Sequence, residues 1–149
     1  MRFLVPVVFI FTLSLTCVHA PASSINSRPI ALADLQIKAD QARPTDKCFL
    51  YAQLVSQMTD LAGGQLASGD SEQALKTLKM AQRYVENIHT SVADDSKKLR
   101  DAELLMQRSS FRLKGMLNKA SYDDRPVLEQ TLRQLNETQR DLMLRVFKK

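Results

Sequence analysis

The chain has no tryptophan, four glycines and five prolines among its 149 residues. A sandwich of many short strands needs turn residues about every 8–12 positions, so this scarcity argues against one. Two cysteines exclude a disulfide-dense scaffold. No Gly-x-Ser-x-Gly, Walker loop, Gly-x-Gly-x-x-Gly, Cys-x-x-Cys or His-Glu-x-x-His occurs. The hydrolase, nucleotide-dependent, redox and zinc chemistries that use those local sequences therefore have no anchor here. Aromatics are 6% of the chain, too few for the stacking platforms that hold single-stranded nucleic acid.

What is present has the balance of a folded domain. Hydrophobic residues make up 44% and charged residues 25%, with a net charge of +5. The length suits a single domain with enough chain to bury a core.

Residues 1–22 read as an export signal. Arg2 precedes an apolar run of 13 residues from Phe3 to Leu15. That run is right for a signal core and shorter than the roughly 20 residues that span a bilayer. Ala20-Pro21-Ala22 fits the small-x-small rule, so cleavage is expected after Ala22 and the protein is expected in the periplasm or outside the cell. Processing removes Arg2, Cys17 and His19, leaving 20 basic against 16 acidic residues, one cysteine (Cys48) and one histidine (His89). No intramolecular disulfide is then available, and no second long apolar run exists.

The remaining chain has helical periodicity. Residues 23–44 read as a linker with a short amphipathic helix on Leu32, Leu35, Ala39 and Ala42, stopped by Pro44. Residues 45–149 read as the main domain. Thr45 or Asp46 is the expected N-cap of a helix with Tyr51, Val55, Met58, Ala62 and Leu66 on one face. Gly63-Gly64 near its end admits two readings, a fraying terminus or the close approach of a neighbour. Gly69-Asp70 supplies a C-cap followed by an N-cap.

Ala74, Leu78, Ala81, Val85, Ile88 and Val92 then step by 4, 3, 4, 3 and 4. The ladder resumes at Leu99, Ala102, Met106, Leu113 and Leu117, with Ser109 and Ser110 in its gap. A break is expected near His89–Ser91, with Thr90 or Ser91 capping the next helix and Asp94 and Asp95 in its first turn. Asp124 is the expected N-cap of the last helix, with Pro126 in its first turn. That helix carries Leu128, Leu132, Leu135, Leu142 and Val146. The expected fold is all-α: a small antiparallel bundle of four main helices plus a short leading helix, with sequential helices as neighbours.

Ala-Ser-Gly-Asp-Ser-Glu-Gln-Ala-Leu-Lys-Thr-Leu-Lys-Met-Ala-Gln resembles the turn and second helix of a tetratricopeptide repeat. Ala62, Ala74 and Ala81 stand where that motif has small residues, and Met58 and Leu61 where it has large ones. The resemblance implies one repeat-like hairpin over about 58–85. No second copy follows at the 34-residue period, where Ser96, Arg108 and Gly115 fall. Residues from Cys48 through Asp70 and the helices to Phe147 are also similar to a set of exported bacterial helical proteins without an assigned activity. That similarity, over about 32–149, implies export and an all-helical fold and carries no site residues.

Three features bear on function. Cys48, in a helical first turn, is a candidate reactive thiol, set against the alternative of a buried small hydrophobe. Glu86-x-x-His89 has the spacing of a di-iron carboxylate motif, but such sites need two copies. His89 is therefore read as a boundary residue. Between Lys97 and Lys119 lie seven cations and two anions. Lys97, Arg108, Arg112, Lys114 and Lys119 are expected to form one basic stripe that would suit an anionic ligand or membrane surface. The alternative is a solvated face. The sequence thus points to a non-enzymatic surface-acting protein, an envelope interaction or structural module with a protein partner. It implies no cofactor, metal or nucleic acid.

Overall fold

A computed structural model describes residues 27–92 and 96–148. The expected signal with its cleavage point and the first-turn aspartates Asp94 and Asp95 lie outside them. The described residues form five helices and no strand: α1 (Ser27–Gln41), α2 (Pro44–Ala67), α3 (Ser71–Thr90), α4 (Ser96–Leu117) and α5 (Arg125–Phe147). The all-helical expectation holds.

Several termini differ in detail from the sequence reading. Helix α1 starts at Ser27, within the stretch expected to be loose. Pro29 lies in its first turn, where a missing N–H leaves no bond unmade. Helix α2 opens at Pro44, not at Thr45 or Asp46, and its N-cap Arg43 makes no side-chain cap. The fixed φ of proline suits the first helical position. Asp124 does stand at the N-cap of α5, but its side chain makes no capping bond. It accepts instead from the Ser121 hydroxyl at 2.8 Å. Ser91 closes α3, its backbone N–H donating to the Ile88 carbonyl, and so does not cap α4.

The turn between α2 and α3 is as expected. Gly69 has φ +82°. The Asp70 amide donates to the Gln65 carbonyl at 2.9 Å and the Gly69 amide to Leu66 at 3.1 Å. This is a Schellman closure, whose left-handed residue favours glycine. Asp70 then caps α3 by accepting from the Gln73 amide.

Cross-helix contacts fix how the elements lie. Thr77 Oγ1 lies 2.9 Å from the Gln65 side-chain amide, and the rings of Tyr51 and Tyr84 stack with centroids 6.1 Å apart. Helices α2 and α3 are thus an antiparallel hairpin. Gln139 donates to Glu103 at 3.0 Å, and α4 and α5 form a second hairpin about the turn at 118–124. Helix α4 lies on α2, and α5 lies on α3; among the described residues α3 and α4 do not pack together. Sequential order therefore does not set every neighbour, because the hairpin and not the helix is the stacking unit.

The two hairpins run in the same direction. Gln82 donates to Thr131 at 2.7 Å, and seven residues on in each helix Thr138 meets His89 Nε2 at 2.9 Å. Helix α1 packs on α2 as well. Tyr51 donates to Asp40 at 3.0 Å, and Ala39 is wholly buried. The segment expected as a linker thus adds to the core.

The core is the set of apolar ladders, from Cys48 and Leu54 through Leu78, Ile88, Met106 and Leu113 to Leu128, Leu135 and Leu142. Burying each large aliphatic side chain contributes about 1.5–3 kcal/mol. Four buried threonines join them, Thr59, Thr77, Thr131 and Thr138. Each donates to the carbonyl four residues earlier, which satisfies the hydroxyl without a second helix. Ser109 and Ser110, read as a gap in the α4 ladder, are buried as well.

Candidate functional site

Cys48 is 2% exposed and lies in the core. Burial pushes its thiol up to about 11, with the positive charge of Arg145 offsetting part of that rise. A nucleophilic cysteine needs a lowered value and access. Cys48 has neither, so the structure favours the buried hydrophobe over the reactive thiol. His89, the one imidazole among the described residues, is engaged elsewhere: Nε2 faces Thr138 and Nδ1 lies 3.4 Å from Asp141. Among the described residues, no three His, Cys, Asp or Glu side chains converge as metal ligands would.

The basic stripe is not one surface. Arg112 turns toward α2, its guanidinium 2.9 Å from Asp60 and donating to Ser56 at 3.3 Å. Lys114 falls about a third of a turn from Lys97 and Arg108, toward Arg100 on the α5 side of the helix, because each residue advances a helix by about 100°. Lys119 lies beyond the end of α4 at Leu117. Lys97 and Arg108 remain on the exposed side of the helix.

Another recess lies where α1 turns into α2. A cavity of about 550 Å³ is lined by Lys38, Arg43, Asp46, Phe49 and Lys98 among others. Its charges are largely used within the fold. Arg43 grips Asp46 through Nε at 3.2 Å and Nη2 at 3.1 Å, and Lys98 pairs with the same carboxylate.

The α4/α5 hairpin is different. On α4, Arg112, Lys98 and Met116 face α2, and Glu103 faces α5. The opposite side of that helix carries Arg100, Leu104, Arg108 and Phe111. On α5, Thr131, Thr138 and Asp141 face α3. Its far side carries Arg133, Arg140, Met143 and Phe147. Phe111 is 79% and Phe147 80% exposed, and Leu104, Met143 and Leu144 are also exposed. They leave apolar side chains along the length of this face, with Phe111 and Phe147 roughly 24 Å apart along the hairpin. Shallow recesses of about 440 Å³ beside Phe111 and about 350 Å³ along Arg133 and Arg140 mark the same face.

Helix α3 provides the contrast. Its solvent side pairs Glu72 with Lys76 at 2.6 Å, with Met80 as its one large exposed apolar residue. The proximity of Lys76 holds the Glu72 carboxyl below the usual range.

The sequence reading missed the hairpin face because Phe111 lies off the core ladder and Phe147 was read with the helix end. The signal available was apolar residues at 104 and 111, two turns apart on the side opposite Met106 and Leu113. Comparison with protein-family models, with characterised proteins and with solved structures finds no match to this chain.

Proposed function

We propose that this chain is an exported helical module that acts by contact and not by catalysis, with the outward face of the α4/α5 hairpin as its contact surface. The observation that carries this reading is the pair of phenylalanines, Phe111 and Phe147, standing in solvent beside Leu104 and Met143 on one side of the molecule. Export rests on the leader pattern of residues 1–22. The stacked hairpins are read as a small bundle. The hairpin at about 58–85 is read as tetratricopeptide-like, which the wholly buried Ala62, Ala74 and Ala81 support, since small side chains let helices approach.

A photo-reactive amino acid at position 111 or 147, compared with position 80 on α3, tests the surface in cells. Adducts are expected from 111 and 147 and not from 80. Equal yields from all three positions would refute the assignment of this face.

A further inference from the structure

We infer that the α4/α5 face docks on an anionic lipid surface, an inference that rests on the contact-surface reading above. Charge is the first reason. Arg100, Arg108 and Lys114 on α4 and Arg133 and Arg140 on α5 rim the exposed apolar residues. None of the five forms an ion pair with a described residue. Glu129 and Glu137 are the carboxylates on the α5 side, and Asp101, about 20° around the helix from Arg108, is the one on the α4 side, so cations exceed anions five to three on the plate.

Shape is the second reason. Arg100 and Lys114 are about 21 Å apart along α4, and a packed neighbour such as α5 lies about 8–10 Å to the side. The cations are thus spread over a two-helix plate, and the phenylalanines project from it. The two recesses described on the plate are each lined by one helix, the first by α4 and the second by α5. A partner helix would need a groove walled by both. A planar array of phosphates needs no groove, only cations at the headgroup level and apolar side chains that enter just below it. No described helix is long and apolar enough to cross a membrane, so the contact is peripheral.

The absence of tryptophan supplies a clean test, since one introduced indole reports alone. The full chain carrying Phe111→Trp, Phe147→Trp or, as reference, Met80→Trp is mixed with phosphatidylcholine vesicles with and without phosphatidylglycerol. Emission from positions 111 and 147 is expected to shift to the blue only with phosphatidylglycerol, while position 80 stays unchanged. Raising salt from about 0.05 to about 0.5 M is expected to weaken partitioning about tenfold or more. Arg100→Glu with Arg140→Glu is expected to do the same at low salt, with helical circular dichroism retained.

No shift with any vesicle overturns the lipid inference, as does an equal shift with neutral vesicles or at position 80. A shift that grows with protein concentration in the absence of lipid also overturns it, and identifies the occupant as a second copy of the chain. In these cases the contact-surface reading still stands if photo-adducts form at 111 and 147, so the two failures are separable.

Discussion

Cys48, expected in a helical first turn, stands instead at the fifth position of α2, which opens at Pro44, and burial decides its chemistry. Its thiol ordinarily ionises near 9.0 and in the fold near 11. Below 9.0 it is neutral whether the chain is folded or not. Between those values the unfolded chain ionises first, so the folded state loses stability as pH rises, by about 2–3 kcal/mol in all. Tyr51 and Tyr84, both raised chiefly by burial, act in the same direction at higher pH. Urea midpoints across this interval are expected to fall more steeply for the parent chain than for Cys48→Ala. At neutral pH, alkylation of Cys48 should proceed only as fast as unfolding. A second residue-scale prediction concerns Ser110, whose buried hydroxyl has no hydrogen-bond partner among the described residues. Ser110→Ala is expected to stabilise the fold by about 1 kcal/mol, read as a higher urea midpoint.

At the scale of the element, the Gly63-Gly64 pair divides between its two readings. Helix α2 runs on unbroken to Ala67, so the pair does not end it. A Cβ at Gly63 would lie 2.7 Å from the Met116 methyl of α4, whereas one at Gly64 meets nothing within 4 Å. Gly63 is thus a close-approach site and Gly64 is not. Gly64→Ala is expected to raise stability by about 0.5–1 kcal/mol through helix propensity alone. Gly63→Ala is expected to gain less, because the flexible end of Met116 must move aside. Gly69→Ala should cost about 1 kcal/mol, since its φ of +82° is strained for any side chain. Thermal melts of the three variants rank these effects. The apolar steps that define the helices were legible in the sequence: Leu78, Ile88, Leu113, Leu128 and Leu135 are all wholly buried. Thr131 and Thr138 were not, because a threonine looks polar until its hydroxyl finds the carbonyl one turn back.

For the whole molecule, the register between hairpins is set by polar ties seven residues apart, Gln82 with Thr131 and His89 with Thr138. Valine keeps the shape of threonine and removes the hydroxyl. Thr131→Val and Thr138→Val are each expected to cost about 0.5–1 kcal/mol, at the low end for a hydrogen bond because Gln82 and His89 can turn to water. A double-mutant cycle between His89→Ala and Thr138→Val should show coupling, and one between His89→Ala and Thr131→Val should show little. The basic residues illustrate the limit of reading along one helix. Helical spacing groups Arg112 with Lys97 and Arg108, yet Asp60 and Ser56 on α2 hold its guanidinium toward that helix. Arg133 and Arg140, 25 or more residues beyond Arg108 in the chain, share the outward face with it only because α5 folds back on α4.

The sequence by itself determined the helices, the sides they bury and the turn at Gly69, since each depends on side chains within about one or two turns of one another. Only the tertiary structure decided that α4 stacks on α2 and not on α3, which cations pair with a neighbouring helix, and which apolar residues remain uncovered. Those outcomes depend on pairs of residues tens of positions apart. A helical period states which side of an element is greasy, but not which neighbour covers it.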